Sequence, residues 1–310
     1  MTDSTVHSRP FQDEHDFWHI RELSIQSYAF TGLGFNWDFR RWDGSRFHNP
    51  TGELNPDWPK TIQLWVTSGG QLAGAANLEG PGWFSLQINP VYRAEIEEDM
   101  LDWVEEHGPA PDDETGQPTL QTEVFDHDCV RRRRLEARGF EMLDDGGVIR
   151  RMYLVAPSIP EAPLAEGYTL AEVNPHDLHD CQRMADLLNA AFNRSKHNAL
   201  EFPQFGLHAP SYRQDLHLVA VAPDGSYAAH VAAIFDSYNH RAIYEPVCTH
   251  PDHRRKNLAQ SLMYEAMRRV KALGAIQITV DTGDMIPANK LYDSMGFTEA
   301  YKSHVWKKTY

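Results

Sequence analysis

The sequence predicts an α/β protein of the α+β kind, with one fold used twice in tandem, each copy a mixed, mostly antiparallel sheet flanked by helices. Three observations lead there. A length of 310 residues is large for one hydrophobic core and comfortable for two. A proline-rich, aperiodic stretch, Ala156-Pro157-Ser158-Ile159-Pro160-Glu161-Ala162-Pro163, interrupts the patterned sequence near its middle. The order of helix and strand patterns before this stretch then recurs after it. Gly139-Phe140 and Gly296-Phe297 stand 157 residues apart (296 − 139), and Ala29-Phe30 and Ala191-Phe192 stand 162 apart (191 − 29), each pair at equivalent places in that order. The expected division is a first domain at 1–155, a linker at 156–166 and a second domain at 167–310.

In the first half, Phe17 to Phe30 carries Trp18, Ile20, Leu23, Ile25 and Tyr28 at helical spacing, and Gly32 and Gly34 end it. The segment Gly34 to Gly44 packs aromatics among charges and is expected to form a buried plug with paired arginines. Strand patterns at Thr61 to Thr67 and Gln71 to Leu78 flank a Ser68-Gly69-Gly70 turn, and a third follows at Trp83 to Ile88. A helix from Ala94 to His107, a strand from Thr119 to Phe125, a helix from Cys129 to Arg138 and a strand from Val148 to Val155 complete this half. In the second half, a strand at Tyr168 to Val173 precedes a helix from Pro175 to Asn193. A loop rich in His, Pro and Phe leads to a short helix near Ser211 to Asp215. Strands at Leu216 to Ala222, Tyr227 to Asp236 and Ala242 to Thr249 come next, then a helix at Leu258 to Leu273 stopped by Gly274. A strand at Ile276 to Val280, a helix at Pro287 to Met295 with Gly296 behind it, and a closing strand at Glu299 to Lys307 end the chain.

Composition narrows the function. A hydrophobic content of 41% suits a well-buried soluble protein, and no apolar run reaches the length of a membrane span. Met1 to Pro10 is polar, without the layout of a secretion signal, so the expected compartment is the cytoplasm. A formal charge of −15 argues against nucleic-acid binding and favours cationic small molecules. Arg131 to Arg134 is therefore expected to face acidic neighbours or a partner. Cys129, Cys181 and Cys248 are odd in number and widely spaced, which speaks against disulfides and zinc, and the 16 histidines form no ligand-like cluster, so no metal is expected. The expected assembly is a monomer or homodimer.

Against the acidic background, Arg241 to Ser261 stands out: an apolar strand, a break at Thr249-His250-Pro251-Asp252, the cations Arg254, Arg255 and Lys256, and a helix start at Leu258. Three adjacent cations beside the free N–H groups of a first helical turn make a site for a polyanion, and the anion expected is a pyrophosphate. Pro246 has no N–H to complete a ladder, so sheet pairing must open near it.

This half resembles the GNAT superfamily of acyl-CoA-dependent N-acyltransferases, whose pyrophosphate loop reads [R/Q]-x-x-G-x-[G/A]; here that is Arg254-Arg255-Lys256-Asn257-Leu258-Ala259. Ala288-Asn289-Lys290-Leu291-Tyr292-Asp293-Ser294-Met295-Gly296-Phe297 resembles the family's A-N-x-x-Y-x-x-x-G-F segment. The resemblance covers Gly167 to Tyr310, and the first half matches only in element order. It implies acetyl-CoA as co-substrate, held by the loop, by Asn289, and by the strand around Val247, Cys248 and Thr249, where the family's sheet splays. Glu245, two residues before Val247 and so expected on the same face, resembles the strand glutamate that accepts the amine proton; a salt bridge is its other role. Tyr292 resembles the tyrosine that protonates the departing thiolate, or else packs in the core. Cys248 is expected to pack rather than attack. Asp281 and Asp284 either hold a substrate ammonium or cap the next helix.

The loop departs from the family at Asn257, where glycine is usual; asparagine is the side-chain-bearing residue best able to take a positive φ. In the first half, Pro90-Val91-Tyr92-Arg93-Ala94-Glu95, followed by Glu97, Glu98 and Asp99, would repel a pyrophosphate, so that domain is expected to lack a coenzyme and to shape the substrate cleft or mediate association. The function implied is transfer of an acetyl group to a primary amine of a small, cationic acceptor. A non-catalytic acyl-CoA-binding regulatory protein is the alternative.

Overall fold

The structure, a computed structural model, describes residues 5–310. The chain runs β1 (Val6–Pro10), α1 (Glu14–Thr31), α2 (Phe39–Phe47), β2 (Ile62–Thr67), β3 (Leu72–Gly80), β4 (Trp83–Ile88), α3 (Arg93–His107), β5 (Ala110–Pro111), β6 (Pro118–Phe125), α4 (Cys129–Ala137), β7 (Glu141–Met142) and β8 (Ile149–Leu154). It continues through β9 (Thr169–Glu172), α5 (Leu178–Phe192), α6 (Glu201–His208), β10 (His217–Val221), β11 (Tyr227–Asp236), β12 (Arg241–Thr249), α7 (Leu258–Ala272), β13 (Gln277–Thr282), α8 (Ile286–Ser294) and β14 (Thr298–Thr309). Among the described residues no helix is long and apolar enough to cross a membrane.

The chain divides into two compact units that are not sequential halves. One comprises residues 1–42, 56–149 and 301–310, the other residues 43–55 and 150–300. The expected boundaries differ from these at three places. The end of β14 belongs with the first unit, almost all of β8 belongs with the second, and the segment after α2 is also part of the second. Alternation along Glu299 to Lys307 marks a strand without saying which sheet receives it, so this exchange left no trace in the sequence pattern.

In the first unit, β1, β2, β3 and β4 pair antiparallel in order. β4 runs parallel to β6 and pairs with it at Trp83↔Gln121, and β6 pairs antiparallel with β14 from Thr119↔Thr309 to Phe125↔Ser303. One face of this sheet carries Ala76, Phe84, Leu86, Ile88, Leu120 and Val124, which bury against Ile96, Met100 and Val104 of α3. Close approach of α3 needs Gly74, because a Cβ there would stand 2.8 Å from the Ile96 side chain and 3.1 Å from Met100 Sδ. α1 covers the other face. The aromatic plug forms as expected, on a helix that charges and Gly44 had hidden: Trp42 is fully buried, stacks on Phe17 with centroids 5.6 Å apart, and donates Nε1–H to the Phe17 carbonyl at 3.0 Å.

The Arg131 to Arg134 run finds acidic neighbours. Glu97 is fully buried and accepts from Arg93 Nε and Arg131 Nε, each at 2.8 Å, and also from Arg134. Burial opposes its charge, yet these guanidiniums hold its pKa down at about 2. Arg93 also reaches Asp128 at 2.6 Å, and Arg138 bonds Glu98 at 2.8 Å. Arg131 and Arg134 of the run thus face the protein's own carboxylates, and Arg132 donates to the Asp126 carbonyl at 2.9 Å.

The second unit pairs β9, β10, β11 and β12 antiparallel, with β13 parallel to β12. Leu258, Leu262, Ala266, Met267 and Val270 of α7 cover one face of this sheet, and Met184, Leu187 and Leu188 of α5 cover the other. α6 occupies the stretch expected to be loop, while only a turn, Gln214–Leu216, stands near the helix expected at Ser211 to Asp215. Pro203 sits within the first turn of α6, where its missing N–H costs nothing.

Candidate active site

The β12–β13 ladder begins at Arg241↔Gln277 and ends at Tyr244↔Val280, although β12 itself continues to Thr249. The opening expected at Pro246 is therefore present. On the other side of β12 the ladder to β11 resumes, and the His250 amide donates to the Ala228 carbonyl at 2.8 Å. Amides alternate along a strand, so Cys248 also turns its N–H toward β11, while Val247 and Thr249 turn theirs to the edge that β13 has left. Of the three residues expected to meet a coenzyme arm, Val247 and Thr249 present open-edge amides and Cys248 does not. Its thiol packs with the α5 face, and burial raises its pKa to about 12, which fits packing rather than attack.

The ladder also corrects the placement of Glu245. Register moves from Ala233↔Tyr244 to Val231↔Val247, so two residues, Glu245 and Pro246, stand opposite Ala232 alone. This bulge interrupts the alternation. Val247 joins Tyr244 on the α7 face, and Glu245 leaves the face predicted by counting in twos. Glu245 remains beside the opening, half-buried, next to a cis peptide bond to Pro246.

After Thr249 the chain makes a single turn of 3₁₀ helix, Pro251–His253, and then the loop. Arg255 has φ +65° and Asn257 has φ +55°, ψ +20°, so asparagine does take the left-handed conformation expected of it, and Arg255 takes it too. Helix α7 starts at Leu258 with no side-chain cap, and its first backbone bond is Ser261 N–H to the Asn257 carbonyl at 3.0 Å. The amides of Leu258, Ala259 and Gln260 are thus presented outward beside three exposed cations. Lys256 is steered by Tyr168, whose hydroxyl accepts from Nζ at 2.7 Å and bonds His253 Nδ1 at 2.8 Å. Arg254 donates to the Ala191 carbonyl at 3.3 Å. Tyr168 was not singled out from sequence, since a lone tyrosine after the linker belongs to no motif.

Replacing Asn257 separates backbone from charge effects. Asn257→Gly should leave coenzyme affinity unchanged or tighten it several-fold, because glycine takes φ +55° without cost. Asn257→Val should lose about 1–2 kcal/mol of loop stability, roughly five- to thirtyfold in the coenzyme dissociation constant by titration calorimetry.

Tyr292 lies on α8, buried, with its ring 5.9 Å from Phe297. Gly296 at φ +86° lets the chain reverse, so that the Phe297 amide bonds the Tyr292 carbonyl at 3.0 Å. Burial raises the phenol's pKa well above its ordinary value, nearby Cys248 and Asp281 add to this, and Arg151 opposes it. Its hydroxyl makes no hydrogen bond with the described residues.

Asn289 and Asp281 are already engaged. Asn289 accepts from Arg151 Nε at 3.0 Å and donates to the Gly283 carbonyl at 3.1 Å, which pins the start of α8. Asp281 takes a two-point contact from buried Arg150, Nε to Oδ1 at 2.7 Å and Nη2 to Oδ2 at 2.6 Å. Its charge is met within the protein by this guanidinium. Asp284 is exposed in the loop before α8. The adjacent Arg150 and Arg151, which organise this side, belong to no sequence signature.

The sequence pattern of the acetyltransferase (GNAT) family matches residues 181–297. These residues are a GNAT acetyltransferase domain. Its outer limits run from the Cys181 turn of α5 to Phe297, enclosing the open edge, the loop and Tyr292. Solved structures extend the likeness to the whole chain. A tandem GNAT protein from the clavulanic acid biosynthesis pathway superposes with TM-score 0.66 at 16% identity, over 98% of this chain and 98% of that one. A GCN5-related N-acetyltransferase from Sphaerobacter thermophilus superposes with TM-score 0.64 at 17% identity, over 98% of this chain and 95% of that one. The chain matches no curated protein sequence. The fold is a tandem GNAT fold, and the activity of the family is acyl transfer from acyl-CoA.

Proposed function

We propose that the protein transfers an acetyl group from acetyl-CoA to a primary amine of a small, cationic acceptor by direct attack in a ternary complex. The observation that carries this is the open edge of β12, where the Val247 and Thr249 amides are released beside the outward N-terminus of α7. The loop cations and first-turn amides hold the pyrophosphate. The arm of the coenzyme lies along β12, with the Val247 amide polarising the thioester carbonyl. The neutral amine nitrogen forms a bond to the carbonyl carbon, and the carbon–sulfur bond breaks as the tetrahedral intermediate collapses. Glu245, directly or through water, takes the proton the amine loses, and Tyr292 stabilises the departing thiolate. One coenzyme binds per chain, because the corresponding turn of the first unit has no run of cations and its Arg93 is held by Glu97 and Asp128. The acidic surface attracts the cationic acceptor, and the protein works as a cytoplasmic monomer or homodimer.

Thiol release from acetyl-CoA across a panel of amines tests this. Release should depend on one class of cationic amine, and Glu245→Gln should lower kcat/KM about 10²-fold with coenzyme affinity unchanged. Coenzyme binding without release for any amine would instead mark a non-catalytic acyl-CoA-binding protein.

A further inference from the structure

The first unit holds polar side chains that no part of the acyl-transfer chemistry uses. On the α1 face of its sheet, opposite the α3 core, Asn77 of β3 stands across from Ser85 of β4, and Ala75 across from Gln87. Asn77, Ser85 and Gln87 are 2%, 8% and 1% exposed; Asn77 Nδ2 and Gln87 Nε2 have no hydrogen-bond partner in the protein, and the Ser85 hydroxyl faces the Glu79 carboxylate. Two buried unpartnered amide ends on one face of two adjacent strands are costly unless something answers them.

Their polarity can be worked out. Thr61 Oγ1 donates to the Trp58 carbonyl at 2.8 Å and lies 3.3 Å from Asn77 Oδ1, and Ser24 Oγ donates to the Ile20 carbonyl at 3.0 Å and lies 3.4 Å from Gln87 Oε1. Each hydroxyl has one proton, already given to a backbone carbonyl. Both amides are therefore better satisfied turned over, with NH₂ donating to the hydroxyl and the oxygen facing outward. The unpartnered ends become acceptors.

The carboxylates on the same face point the same way. Glu79 is the extra residue of a bulge between Leu78↔Phe84 and Gly80↔Trp83 and reaches the Ser85 hydroxyl, and Glu123 lies on β6 opposite in sense to Leu120 and Val124, accepting from Ser303 Oγ at 2.5 Å. Glu79 is reached by solvent, yet desolvation raises its pKa to about 7, with Ser85 and Arg41 opposing and Glu123 adding to the rise. β4 and β6 pair at Trp83↔Gln121 only, so the sheet opens beside Ser85 and Glu123.

We infer that the first unit carries its own binding site for a small, donor-rich primary ammonium compound, lined by Asn77, Glu79, Ser85, Gln87 and Glu123. The acceptors supply several hydrogen-bond positions, and the two carboxylates supply the charge that selects a cation over a neutral polyol. This site lies in a different unit from the loop and the open edge, so it stands whether or not the acceptor proposed above is right.

Titration calorimetry of the full chain without coenzyme tests it, using 1,4-diaminobutane, 2-aminoethanol and glucosamine, with 1,4-butanediol, ethylene glycol and glucose as neutral counterparts. At least one amine should bind about tenfold or more tightly than its counterpart, since a charge-assisted bond is worth that much. Affinity should rise about tenfold from pH 6 to pH 8, because Glu79 is about one tenth ionised at the former and about nine tenths at the latter. Glu79→Gln and Gln87→Met should each weaken binding about tenfold, and Glu245→Gln should leave it within about twofold. All eight tryptophans fall in the first unit, so their fluorescence shows directly whether each variant has kept that unit folded. The inference is overturned if no amine outbinds its neutral counterpart, or if binding is lost in Glu245→Gln and kept in folded Glu79→Gln.

Discussion

Glu97→Ala should cost the first unit about 3–5 kcal/mol, the largest stability loss expected of any single substitution here, because it leaves guanidiniums buried without their counter-charge. Arg131 is 5% exposed and Glu97 is fully buried, so water cannot take over the role of the carboxylate. The location of the tryptophans makes the measurement selective. Urea unfolding followed by their fluorescence should show a lower midpoint, while coenzyme binding by the second unit persists below that midpoint.

The same cluster sets a pH dependence. The folded pKa of Glu97 is lowered from 4.5 to about 2, so its contribution is fully present above about pH 4.5 and is lost as pH falls toward about 2. That fall corresponds to about 3 kcal/mol. Glu97→Gln should keep the shape and lose the charge, flattening fluorescence-detected stability across that acid window. A Glu97→Gln protein with the wild-type acid profile would show that other carboxylates govern it.

The order of elements was readable because hydrophobic periodicity and turn residues are local. Tyr227–Asp236 and Trp83–Ile88 were placed to the residue, and α7 nearly so. What escaped was non-local or locally disguised. The apolar residues Phe202, Phe205 and Leu207 of α6 are interrupted by Pro203 and Gly206, so their helical spacing read as loop. The destination of β14 depends on which sheet edge is vacant, which no property of Thr298–Thr309 records.

In the site, the pyrophosphate loop was readable because cations, a turn and a helix start are adjacent in sequence. The face of Glu245 was not, since a bulge shifts alternation by one residue and only the partner strand reveals it. Arg150 and Arg151 were invisible for a related reason. They act through Asp281, Asn289 and Asp293, more than 130 residues away, and two arginines in a strand have many possible destinations. Sequence motifs picked out the groups proposed to meet the coenzyme, and the structure supplied those that hold them.

Tyr292→Phe should lower kcat about 10²-fold while leaving coenzyme affinity and stability near wild type. Stability should hold because the hydroxyl bonds no described residue, and phenylalanine fills the same space beside Phe297. The form of the rate loss says how the phenol acts. Its pKa is raised well above the ordinary value, mainly by burial, whereas a thiol has a pKa of about 8.5. Full proton transfer from this phenol to the departing thiolate is therefore uphill, and a short hydrogen bond to developing negative charge on sulfur is the more favourable role. Two results follow. Activity should show no decline from tyrosine ionisation at any pH where the protein stays folded. An acetyl thioester of a more acidic thiol, which leaves with less need of stabilisation, should suffer a smaller penalty from Tyr292→Phe than acetyl-CoA does. A penalty equal for both donors would mean that Tyr292 positions the coenzyme rather than stabilising its sulfur.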